Sequence, residues 1–106
     1  MREKKEKKKK KYPRPHIQVQ RGLAVQIMNL GLFNEFEFVN GEKIPIIYNY
    51  NLSEIMRSLN YDPAVFIPRL LKNGYLVIKD FSLESYYLFT SKKKGLEFKK
   101  TLNKWP

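Results

Sequence analysis

The stretch DPAVFIPRLLKNGYLVIKDFSLESYYLFT, residues 62–90, decides how the chain is read. Asp62-Pro63 suits a helix start, because the carboxylate accepts from free first-turn amides and proline at the first helical position gives up no needed donor. Ile67, Leu70 and Leu71 fall on one face and Asn73-Gly74 closes the run, so the spacing predicts a helix over 62–73. Pro68 lies inside that run, where it removes a hydrogen bond and crowds the carbonyl four residues back. A kink or a short helix is expected there. Beyond Gly74, residues 75–79 and 86–90 are β-branched and aromatic runs joined by the polar segment 80–85, which predicts a β-hairpin.

Working outward, Thr90 or Ser91 can cap a last helix bearing Leu96, Phe98 and Leu102, with Lys99, Lys100 and Lys104 toward its negative end. Upstream, Asn60-Tyr61 reads as a turn, and Asn51 or Ser53 can cap a second helix with Leu52, Ile55, Met56 and Leu59 on one side. Residues 33–50 read as extended. Phe36 and Phe38 alternate with Glu35 and Glu37, Asn40-Gly41 is a hairpin signal, and Ile44, Ile46, Ile47, Tyr48 and Tyr50 follow. Before them, Val19, Leu23, Ile27 and Leu30 form one apolar stripe, predicting a first helix from about residue 17 to 30 with Gly31 as its terminator. Gly22 inside it costs about 1 kcal/mol relative to alanine.

Composition bounds the rest. The chain has 106 residues, enough for one domain, and 42% are hydrophobic, which excludes a wholly disordered chain. Twenty-one Lys+Arg against ten Asp+Glu give a net charge of +11 and point to a polyanionic partner. Residues 1–16 hold seven Lys and two Arg against Glu3 and Glu6, or +7, and the remaining residues carry +4. Lysine is common throughout, since Lys, Asn, Ile, Tyr and Phe make up 46 of the 106 residues. That bias alone does not place seven of the sixteen lysines in the first eleven positions. The run Lys7, Lys8, Lys9, Lys10 and Lys11 repels itself and buries nothing, and Pro13 and Pro15 favour extended backbone, so a disordered basic arm over 1–16 is expected. A solubilising tail or a localisation signal is the alternative reading of the arm.

The order helix, strand, helix, turn, helix, hairpin, helix resembles the winged helix-turn-helix superfamily. Two segments carry the likeness. Residues 67–77, IPRLLKNGYLV, look like the end of a recognition helix running into a first wing strand. Residues 87–98, YLFTSKKKGLEF, look like a second wing strand leading through a threonine and a Lys-Gly pair into a closing helix. The resemblance covers about residues 17–105. It implies an α+β winged helix-turn-helix domain with a three-helix core, a C-terminal β-hairpin wing (75–90) and a closing helix, which is commonly a homodimer. It also implies a DNA-binding transcriptional regulator whose third helix enters the major groove. The candidate contacts are Asn60, Tyr61, Ala64, Arg69 and Lys72 on and before that helix, Lys79 and Tyr86 on the wing, and Lys92 beyond it. Lys7 to Lys11 and Arg14 in the arm would add phosphate contacts.

Double-stranded DNA is thus the expected partner. RNA is the alternative, in a winged-helix ribonucleoprotein or assembly component, because the third helix offers just Arg69 and Lys72 as cations. Each candidate also has a plainer reading: Arg69 as a solvated helix-face residue, Lys92 to Lys94 as a charged first turn, and one of Tyr86 and Tyr87 in the core with the other an exposed wing aromatic. Trp105 reads equally as an interface anchor or a cap over the core. Catalysis and cofactors are not expected. One histidine, His16, and no cysteine cannot build a metal site, the acids Glu35, Glu37 and Glu42 alternate on a solvated hairpin face, and no glycine-rich phosphate loop is present. Without a secretory or membrane-spanning segment, a cytoplasmic location is expected, nucleoid-associated or, in a eukaryote, nuclear.

Overall fold

A computed structural model describes residues 14–82 and 84–103. Helix α1 (Ile17–Leu30) has the predicted bounds, but of its expected stripe just Leu23 and Ile27 are buried, together with Gln20 and Ala24, while Val19 is half-buried and Leu30 is 48% exposed; the Gly31 amide donates back to the Ile27 and Met28 carbonyls. Strands β1 (Glu35–Val39) and β2 (Glu42–Tyr48) then form a hairpin. Asn40 and Gly41 both have positive φ (53° and 79°), the backbone of a tight two-residue turn whose twist matches its strands. Helix α2 (Asn49–Ser58) begins ahead of both expected caps and has no side-chain cap. Its first amide, that of Asn49, donates to the Glu84 carbonyl at 2.7 Å instead.

Helix α3 (Pro63–Asn73) starts as its sequence predicts, with Asp62 Oδ1 accepting from the Ala64 amide at 3.1 Å. Pro68 neither ends nor shortens it. The carbonyl left without a donor belongs to Ala64, an exposed residue, and water can satisfy it. Gly74 closes the helix at φ 85°. Strands β3 (Leu76–Asp80) and β4 (Ser85–Leu88) follow, and Ser91 Oγ accepts from the Lys94 amide at the start of α4 (Lys92–Asn103).

All four strands are antiparallel in one sheet, ordered β1-β2-β4-β3. The pairs Ile46↔Tyr87 and Val77↔Tyr87 put β4 in the interior. One face packs on α1, α2 and α3 through Ile47, Leu76, Tyr86 and Leu88 against Leu23, Ile27, Met56, Phe66 and Leu70. The other face, with Ile44, Ile46, Val77, Tyr87 and Phe89, is covered by Phe98 and Leu102 of α4.

The α+β class therefore holds, but the winged helix-turn-helix architecture does not. The element order is α-β-β-α-α-β-β-α, and residues 75–90 make no free wing. The reason lies in residues 33–50, which supply a whole hairpin. Its second strand takes up the edge of β4, and α4 closes the face that a wing would expose. Tyr86 and Tyr87 are accordingly both buried, at 9% and 6% exposure, where one was expected in solvent. The proposed disordered arm lies, apart from residues 14–16, outside the described residues.

Candidate nucleic-acid interface

The basic arm joins the domain through a buried amide. Gln20, read from the sequence as lying off the apolar stripe, sits on the buried face of α1 with 2% exposure. Its Nε2 donates to the Pro15 carbonyl at 2.7 Å, and its Oε1 accepts from Asn73 Nδ2 at 3.0 Å. Asn73 Nδ2 also reaches the Arg69 carbonyl at 3.2 Å. A buried polar group is retained where its hydrogen bonds are satisfied, and here they tie the segment entering α1 to the last turn of α3. Arg14, Arg69 and Lys72, all exposed, are thereby carried by backbone held at one place. The sequence signal was present in Gln20 and Asn73, but a glutamine off the stripe reads as solvated until its partner, far along the chain, is known.

The start of α4 joins the same end. A Cβ on Gly74 would lie 2.9 Å from the Lys92 carbonyl and 2.8 Å from Leu96 Cγ, and a Cβ on Gly95 would lie 1.6 Å from the Gly74 carbonyl oxygen. The glycine pair lets the C-terminus of α3 and the first turn of α4 touch. That turn holds Lys92, Lys93 and Lys94 and no acid. Cations at a helix N-terminus oppose the macrodipole, at about 0.3–1 kcal/mol each when exposed. Lys94 is ion-paired with Glu42, whereas Lys92 and Lys93 have no partner among the described residues. An anion placed there would be favoured by both the dipole and the ammonium groups.

The remaining candidates are elsewhere. Asn60, exposed at φ 69°, and Ala64 stand at the opposite end of α3. Tyr61 is half-buried, with its ring 4.9 Å edge-on from Phe66. Lys79, on β3, sits 3.8 Å from Glu37. Tyr86 is removed from any interface: its hydroxyl donates to Asn49 Oδ1 at 3.0 Å, and burial, with Glu84 adding to it, raises its pKa. Lys7, Lys8, Lys9, Lys10, Lys11 and Trp105 lie outside the described residues.

Comparison with known proteins finds no matching family model, no matching curated protein and no matching solved structure. The site has to be judged on its own chemistry.

Glu35 and Glu42 are exposed and Glu37 is half-buried, in keeping with the expected solvated face, but each has a partner on this chain. Glu35 accepts from the Tyr48 hydroxyl at 2.6 Å, Glu37 from the Tyr87 hydroxyl at 3.3 Å, and Glu42 pairs with Lys94. The hydrogen bond to Glu35 holds the Tyr48 hydroxyl above its ordinary range. Burial, then the Glu37 charge, pushes Tyr87 up to about 12. The hairpin acids are thus engaged on the sheet, while among the described residues Arg14, Arg69, Lys72, Lys92 and Lys93 have no acidic partner. Among the described residues no group of three His, Cys, Asp or Glu is placed to hold a metal ion, and no helix is long and apolar enough to cross a membrane.

Proposed function

We propose that the protein binds nucleic acid, double-stranded DNA in the first instance, through the α3–α4 junction and the basic arm that enters beside it. A DNA-binding regulator is the role this fits. The observation that carries the reading is the Pro15–Gln20–Asn73 hydrogen-bond chain, which seats the segment next to Arg14 against the end of α3 that carries the exposed Arg69 and Lys72. Binding is dominated by phosphate contacts. The exposed residues of α3 are Ala64, Val65, Pro68, Arg69 and Lys72, which leaves two groups able to reach a base edge.

The test is a salt titration of duplex binding. Deleting residues 1–14 makes the slope of log affinity against log salt shallower by several units, each neutralised phosphate contributing about 0.9. Arg69→Ala and Lys72→Ala lower affinity on all sequences alike. An unchanged slope overturns the arm's role, and unchanged affinity in both point variants overturns the junction. Tighter binding to a structured RNA at matched salt would move the assignment to the ribonucleoprotein alternative.

A further inference from the structure

The two long edges of the sheet differ in what covers them, and the bare one carries an inference independent of nucleic-acid binding. Strand β1 pairs with β2 alone among the described residues. In a hairpin closed by a two-residue turn, the flanking pair Val39 and Glu42 exchanges hydrogen bonds, so alternation sends the backbone groups of Phe36 and Phe38 away from β2. Those groups form an open ladder. Natural edges are usually blunted by lysine, proline or a bulge. β1 has none of these: its sequence is EFEFV, and its pairing with β2 runs without a shift. Pro45, opposite Phe36, sits where its missing donor faces away from β1, so the ladder stays regular.

The side chains match the open backbone. Phe38 is 71% exposed and Phe36 48%, with Leu32 exposed nearby in sequence. Phe33 stands edge-on to Phe36 at 5.6 Å, and the Lys43 ammonium lies 4.2 Å from the Phe36 ring centre. The opposite face of β1 carries Glu35 and Glu37, both engaged by groups of this chain. The edge therefore offers outward-facing donors and acceptors, an aromatic side, and an acidic side on which Glu37 has Lys79 nearby and Glu35 is hydrogen-bonded to Tyr48.

We propose that β1 is a homodimerisation edge, pairing antiparallel with β1 of a second copy about a two-fold axis at Glu37. This register is the one that pairs all five residues of the strand. Phe36 and Phe38 would exchange ladder bonds with the partner's Phe38 and Phe36, stacking their rings across the interface. On the other face the two Glu37 carboxylates meet, each with its own Lys79 at 3.8 Å, so like charge is offset within each copy. A second copy fits better than an unrelated strand because this register satisfies the ladder and pairs the exposed phenylalanines with the same five residues, while each Glu37 keeps its own Lys79.

The chain has no cysteine, which makes the register directly testable. Residues facing each other in a non-hydrogen-bonded antiparallel pair have Cα atoms about 4.5 Å apart, within disulfide range. Full-length Glu37→Cys, treated with oxidised glutathione, should form a covalent dimer by thiol–disulfide exchange: the disulfide gains its sulfurs from two chain thiols and glutathione leaves reduced. Glu54→Cys, exposed on α2, should stay monomeric under the same conditions. In sedimentation, the unmodified protein should associate with rising concentration, and Phe38→Pro, which removes an outward-facing amide, should abolish this with its circular dichroism unchanged. Should that variant unfold, Phe38→Lys gives the same reading. A wild-type monomer at every concentration, equal cross-linking of both cysteine variants, or association that survives both Phe38 changes overturns the proposal.

Discussion

β1 and β3 are the two outer strands of one sheet, with similar apolar content and opposite fates. β3 lies between α3 and α4, and its Leu76 and Val77 are buried. On β1, Phe38 stands in solvent and Phe36 is half exposed. Their ladders differ in one respect, since β3 shifts register against β4 between Ile78 and Asp80 while β1 runs along β2 without a shift. Coverage by a helix on each face, made feasible by the contact of Gly74 with Gly95, is what turns a hydrophobic strand into core.

The largest effects should fall at the β3 end. Leu76→Ala removes a fully buried side chain and should cost about 2–5 kcal/mol. Gly95→Ala drives a methyl into the Gly74 carbonyl and should cost about 3 kcal/mol, the upper part of the usual overpacking range. Phe38→Ala, in dilute protein, should stay within about 0.5 kcal/mol of the parent. Urea denaturation measures all three, and a Phe38→Ala loss as large as that of Leu76→Ala would break the contrast.

A smaller effect should appear at high pH, on the face that α4 closes. Tyr87 titrates at about 12 in the folded chain against 10.0 unfolded, because burial and then Glu37 disfavour its phenolate. A raised pKa means stability that is fully present below pH 10 and lost as pH rises through 12. Alkaline unfolding should steepen over that window, and Tyr87→Phe should flatten it; a parallel decline in both proteins would show that the tyrosine is not held by the fold. The smallest change has the opposite sign. Gly22 is exposed in mid-helix, and a methyl added to it would meet no other atom within 4 Å, so Gly22→Ala should add about 0.5–1 kcal/mol. A loss there would mean that something covers α1.

Local chemistry made much of this visible in advance. The bounds of α1, the Asn40-Gly41 turn and the Asp62-to-Gly74 helix follow from neighbours a few positions apart, and each stands as read. What could not be read was Ile46 beside Tyr87, since pairing across some forty residues leaves no mark in either strand. Without it, 75–90 looked like a free wing and Tyr86 like a surface group. The proposed cationic site was legible in part: Arg69, Lys72 and Lys92 are named from sequence, but Gln20, which ties Pro15 to Asn73 at the end of α3, is a single amide whose importance comes from burial.

The hydrogen bonds of Gln20 also set a length scale. Eight residue steps separate Lys7 from Pro15, whose carbonyl Gln20 holds, and a fully extended chain covers at most about 3.6 Å per residue, so the Lys7 backbone cannot lie more than about 29 Å from that anchor. A helical turn of duplex DNA is about 34–36 Å. In the proposed complex Lys7 to Lys11 would therefore serve phosphates within about one helical turn of the α3–α4 junction, their charge acting at high local concentration there.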